Sequence, residues 1–326
     1  MSADAEPRTP RRWPGRLALL ALLAVVGLGL LVAFAPQLVA HTPLRDRLLA
    51  AATKDLKGTL SVAGLSLSWF DVVEATGVTL AGEDGRTAVT IPKLTTSKTL
   101  LALARDPADL GTVTIDGATV NLRCQPGTTN LETILANYLT PDPAKPASVR
   151  PAIALEVVGA TVELSEAGSA VVQKLDAVGA TVTVPAVSGP ITMRVEVAGR
   201  LRATASLNGD VATAHAEATA FALETVGPLA RRFSPGADVS GALTATADVT
   251  RAGPDVDVKG SAEAKDLSVA GPWLGERVVL KSLVVKPTEV AYAGGELRVA
   301  GFDVACDAGT VTAAGTVSLS GDPEAR

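Results

Sequence analysis

The sequence holds two histidines, His41 and His215, too far apart along the chain to suggest a shared metal site or an acid–base pair. His215 sits in an alternation of alanine and threonine, the pattern of a strand with the imidazole on its polar face. Cys124 follows Val120 and Leu122, and Cys306 follows Phe302 and Val304, each in a period of two. Both cysteines therefore read as small buried hydrophobes, with a bridge between them as the alternative in an oxidising compartment. The acids come in pairs, Glu83 with Asp84 and Asp255 with Asp257, in turns or on solvent-facing beats where they serve solubility. No GxSxG, HExxH, GxxxxGK[ST] or CxxC motif occurs. The expectation is a protein that is not an enzyme and that holds neither cofactor nor metal.

What remains is the chemistry of apolar side chains. Hydrophobic residues make up 47% of the 326 residues and aromatic ones only 3%, so valine, leucine and alanine supply the area for one or two domains. Thirty glycines and twenty prolines indicate many turns. A net charge of -5 and a pI near 5.2 argue against a nucleic-acid partner, which would need a basic stripe.

From Gly58 onward a period of two dominates. Its apolar beats include Val113 and Ile115, Val120 and Leu122, and Ile153, Leu155 and Val157. Met193, Val195 and Val197 follow Ile191 in the same way, and Val256 with Val258 close the set. The alternate positions hold threonine, serine and charged residues. The expected fold class is mainly β, a long antiparallel sheet with one oily face and a few short capping helices. Such a face must be buried against a second layer or a ligand. Either the sheet closes on itself as a sandwich, or it curls around acyl chains, in which case these side chains line the groove. Each methylene removed from water contributes about 0.8 kcal/mol, so a two-tailed lipid offers well over ~10 kcal/mol of gross driving force.

Upstream, residues 17–35 run without a charge or a hydrogen-bonding side chain, enough for roughly 28 Å of helix. With the uncharged residues after it, this run is expected to cross a membrane once over 17–40, with Leu17, Leu20, Leu23, Val26, Leu30 and Phe34 among the residues of the span. Arg8, Arg11, Arg12 and Arg16 precede it, whereas basic residues after it are mixed with acids, which places the tail 1–16 in the cytoplasm. The competing reading is a cleaved signal peptide, with Ala33-Phe34-Ala35 as the cleavage form. An apolar run longer than a signal peptide's core, and Pro36 directly after the cut, disfavour it.

Thr42-Pro43 opens an amphipathic helix expected over 43–57, a collar at the membrane or a cap on the sheet. A strand over 87–94 leads to a helix over 97–105, and Thr129 with Glu132 forms a capping box. A second helical pattern covers 223–233. Residues 141–151 hold four prolines and divide a β-groove region with short helices, 41–140, from a β-repeat region, 152–326. A weak repeat, Gly117-Ala-Thr-Val120, Gly159-Ala-Thr-Val162 and Gly179-Ala-Thr-Val182, suggests growth by successive hairpins.

Several of these stretches carry a resemblance. Gly58-Thr-Leu-Ser-Val62, Leu65-Ser-Leu-Ser-Trp69, Ser97-Lys-Thr-Leu-Leu-Ala102, Leu110-Gly-Thr-Val-Thr-Ile-Asp-Gly117 and Gly127-Thr-Thr-Asn-Leu-Glu132 follow a single span and an amphipathic helix. Together with Leu243-Thr-Ala-Thr-Ala-Asp248 after Gly241, they make the chain similar to AsmA-like proteins, relatives of TamB, across most of 10–320. The resemblance implies an inner-membrane anchor, a periplasmic curled β-groove and conduction of phospholipids toward the outer membrane. It brings no catalytic residues, and it admits an outer-membrane or periplasmic protein as a further partner. The alternative function is a tethered structural or regulatory protein that modulates outer-membrane protein assembly. The chain departs from the family in length, since fifteen strands stack to roughly 70 Å. A fragment, a short member, or one that works with a partner are all compatible with an end at 321–326 that brings no terminating helix.

Overall fold

The computed structural model describes residues 44–139, 151–186, 188–272 and 274–318, together with Gln37, Ala40 and Thr42. The expected span, with Leu17 through Phe34, and the proline-rich residues 141–150 lie outside them. Among the described residues no helix is long and apolar enough to cross a membrane.

The described residues form one sheet of sixteen strands. A short helix α1 (Leu44–Ala52) precedes β1 (Gly58–Ser66), β2 (Val72–Gly82) and β3 (Thr87–Thr99), which pair antiparallel in order. After helix α2 (Leu100–Arg105) come β4 (Asp109–Asp116) and β5 (Thr119–Gln125). Both pair with β3 and with β7 (Ala152–Glu166), so they act as one strand broken at Gly117-Ala118. Between β5 and β7 lie β6 (Thr128–Thr129) and helices α3 (Asn130–Ile134) and α4 (Ala136–Leu139). From β7 on, each strand pairs with its chain neighbours: β8 (Val172–Val184), β9 (Ile191–Val197), β10 (Leu201–Asn208) and β11 (Val211–Ala222). A 3-10 turn (Leu223–Val226) and helix α5 (Gly227–Phe233) intervene. Then follow β12 (Asp238–Ala252), β13 (Asp255–Ala270), β14 (Val278–Ala293), β15 (Glu296–Cys306) and β16 (Gly309–Ser318).

Three expectations need correction. The sheet is not wholly antiparallel, because β4 and β5 run parallel to β7. The crossover 126–151 carries the chain from the end of β5 back beside the start of β4, where Ala152 N–H donates to Ala108 O at 2.7 Å, and that return forces a parallel pair. The first helix stops at Ala52 rather than 57: Thr53 Oγ1 donates to Leu49 O at 2.7 Å, and Lys57 N–H is taken by Ile134 O at 3.0 Å. Helix α2 starts at Leu100 rather than Ser97, because Ser97 Oγ accepts the Thr112 N–H across the ladder at 2.8 Å. Thr99 becomes the N-cap and accepts the Ala102 N–H.

The capping box forms as the sequence indicates. Glu132 N–H donates to Thr129 Oγ1 at 3.2 Å, and the Thr129 N–H donates to the Glu132 carboxylate at 2.8 Å.

A row of left-handed residues crosses the sheet where neighbouring strands meet at one height: Gly117, Gly159, Ala177, Ala198 and Ala220, with Asp266 in β13. The register slips beside Gly159, Ala177, Ala220 and Asp266, the signature of β-bulges, which bend a strand and increase its twist. An alanine in this conformation costs about 1 kcal/mol, so the surrounding ladders impose the bends. Ala118, Ala160, Val178 and Val197 flank the row and pack into one buried cluster with Ile91, Ile115, Val157, Val162, Leu175, Val195 and Leu201.

The β9–β10 hairpin turns at this row, whereas β7, β8, β11 and β12 continue past it. The notch is occupied by the 3-10 turn and α5, which touch β5, β7, β8 and β12. Beneath them lie Leu164 and Cys124, each 1% exposed and the most buried large side chains among the described residues.

Candidate functional site

Cross-strand register places every expected groove residue on one face. Val113 and Ile115 lie opposite Leu155 and Val157; Val120 and Leu122 lie opposite Val162 and Leu164. Ile153 lies opposite Val184, and Leu155 opposite Val182. Met193, Val195 and Val197 are flanked by Val182, Ala180 and Val178 on one side and by Ala205, Ala203 and Leu201 on the other. The stripe continues through Ala214, Val249, Val258 and Val290 to Val299 of β15. Cys124 and Cys306 hold the same phase; both are free, which excludes the bridge left open by the sequence. Burial pushes the Cys124 thiol above its ordinary pKa, so it stays an uncharged hydrophobe.

The bulge row divides this face. On one side α3 and α5 form a lid. Arg232 Nη2 lies 2.9 Å from Glu132 and donates to Gly127 O at 3.3 Å, while the Gly127 N–H donates to Arg232 O at 3.2 Å. Arg231 Nε reaches Glu166 at 3.0 Å. This clasp joins residues 105 positions apart. Burial works against the Glu132 carboxylate's charge, but the Arg232 guanidinium and the Thr129 N–H outweigh it and hold its pKa below the ordinary range.

On the other side β9, β10 and β13 to β16 make their main contacts with neighbouring strands alone among the described residues. Met193 is 43% exposed and Val258 36%. A recess of about 400 Å³ opens here over Ile191, Met193, Ala205, Leu207, Ala212 and Val249, with Arg251 at its rim. A second apolar recess, about 410 Å³, lies over Val290, Val299, Phe302 and Val317. Val197 departs from the expectation: it belongs to the buried cluster at the bend and is not open lining.

Sequence reasoning missed the residues at the bend, Ala118, Ala160 and Val178. The Gly-Ala-Thr-Val repeat carried their signal in part, because Gly117 and Gly159 are the left-handed residues that precede two of them. The third copy differs, since the left-handed residue there is Ala177 and not Gly179.

The opposite face is polar, and many of its charges pair across or along strands, as Lys174 does with Glu163, Arg202 with Glu196 and Lys259 with Glu289. A recess of about 480 Å³ there is ringed by Thr181, Thr204, Thr213 and Thr250, with His215 and Asp248. His215 Nδ1 lies 2.7 Å from Asp248 and Nε2 lies 3.2 Å from Glu217. The Asp248 contact first, then the Glu217 contact, raises the imidazole pKa. A raised folded-state value means that the pair's stabilisation is fully present below the unfolded pKa of about 6.5 and is lost as pH rises through the folded value. An NMR titration is expected to place His215 above its unfolded value, and Asp248→Asn is expected to bring it back down. No cluster of three or more His, Cys, Asp or Glu side chains among the described residues is placed to hold a metal ion.

No protein-family model and no curated protein matches the chain.

Proposed function

We propose that this protein is anchored in the inner membrane by its N-terminal apolar run and holds phospholipid tails in a curled, trough-shaped sheet in the periplasm, conducting them toward the outer membrane. The observation that carries the reading is the half of the apolar face beyond the bulge row. There the stripe passes from Val113 and Ile115 through Met193 and Val258 to Val299 with no packed layer among the described residues. An unpaired apolar face of this extent marks an interaction site. Bulges aligned across β7, β8, β11 and β13 each bend their strand, which favours a curved sheet over a flat one. The similarity of the sequence to AsmA-like proteins points in the same direction. Fourteen strands abreast extend about 60 Å, and acyl chains need no polar partner along that path.

The second reading, a tethered scaffold for outer-membrane protein assembly, draws support from β16. Its ten residues are all exposed and include neither charge nor proline, and among the described strands it pairs only with β15, which suits it to accept a strand of another protein.

Phospholipid with a diazirine in its tail tests the reading. Irradiated with the full chain, it is expected to label Met193, Ala205 and Val249 and to spare Arg194, Thr204 and Thr250. Equal labelling of both faces, or none, rejects the trough.

A further inference from the structure

The recess over Ile191, Met193, Ala205, Leu207, Ala212 and Val249 has a single charge in its wall, Arg251. Arg251 holds an apolar-face position of β12, opposite Ala212 on one side and Val256 on the other. The carboxylates nearby in sequence, Asp255 and Asp257, take the alternate phase with the polar face. Within ion-pair distance Arg251 has no carboxylate among the described residues; Arg105, Arg200 and Arg298 have none either, but Arg251 is the one set in the apolar wall of this recess, whereas Arg194 and Arg202 on the polar face are paired. Its Nε donates to Gly253 O at 2.9 Å, which aims the guanidinium and leaves the Nη groups for a ligand. The strand ends at Ala252, so the side chain stands where the apolar wall meets water.

We infer that Arg251 is the headgroup-selecting residue of the trough: it grips the phosphate of a phospholipid whose tail lies along Met193, Leu207 and Val249. A guanidinium binds phosphate through two parallel N–H···O bonds, and beside an apolar wall that bond is less screened than in open water. Diacylglycerol offers the same tails with no anion. The site therefore discriminates by the headgroup phosphate, while the wall accepts any tail. This inference rests on the lipid reading above.

The test uses full chain in detergent micelles doped with tail-diazirine phosphatidylglycerol or tail-diazirine diacylglycerol, with labelling of the 189–214 peptides read by mass spectrometry. Arg251→Ala is expected to lower phosphatidylglycerol labelling about tenfold or more and to leave diacylglycerol labelling unchanged. Arg251→Lys is expected to recover part of the difference, since a lysine supplies charge without the fork. Arg194→Ala, on the opposite face, is expected to change neither. Equal loss of both lipids in Arg251→Ala, or loss of neither, overturns the headgroup role while the trough stands. Absence of labelling by either lipid in the unmodified protein removes the trough and the inference with it.

Discussion

Replacing Met193 and Val258 together by aspartate is expected to abolish lipid labelling of the trough while the protein stays folded. Both side chains are already more than a third exposed, so each carboxylate reaches water without being forced into a core. Their neighbours are Val182 and Ala205 for Met193, and Val249 and Val290 for Val258, which puts two charges on the path an acyl chain would follow. A methylene leaving such a wall loses about 0.8 kcal/mol, and a tail must also shed its contacts with the ionised group's water. Val195 is the poorer position, although it is the centre of its strand, because it packs against the buried cluster at the bend. Circular dichroism and limited proteolysis check folding, and diazirine labelling at Ala205 checks function. Full labelling in the folded double variant would show that lipid does not run along this face.

The largest effect on stability is expected at Leu164. It is 1% exposed beneath the α5 lid, in a sheet whose side chains are mostly half-buried, so few other positions carry as much packing. Leu164→Ala removes that packing and leaves a cavity, at a cost of about 2–5 kcal/mol against a typical domain stability of about 5–15 kcal/mol. Leu155→Ala, on the same strand beyond the bend and half-buried, is expected to cost roughly half of that or less. The difference should appear as a lower urea midpoint with the slope unchanged. Equal midpoints for the two variants would mean that the lid does not create the core assigned to it.

Period-two alternation was sufficient to place Val113, Leu155, Met193 and Val258 on a shared face, since side-chain direction along a strand follows from backbone geometry alone. The Thr129–Glu132 box was legible for a similar reason, its partners lying three residues apart. Features that depend on distant partners were not. Arg231 and Arg232 look like surface charges until α5 docks on Glu132 and Glu166. The parallel return of β7 beside β4 is set by a crossover whose path no local pattern encodes. Ala177 and Ala220 carry no sign of left-handed backbone, because alanine adopts it only when the neighbouring ladders demand it.

The clasp between Gly127 and Arg232 also limits how such a chain can change length over evolution. Beyond β12 each strand pairs only with its chain neighbours, so a duplicated or deleted hairpin restores both direction and face and alters the sheet by about 9.6 Å. Between β5 and β12 the same event would move α5 by two strand spacings away from Glu132 and Glu166 and empty the notch above Leu164. Homologues are therefore expected to vary in hairpin number after residue 252 and to keep it constant between 125 and 238.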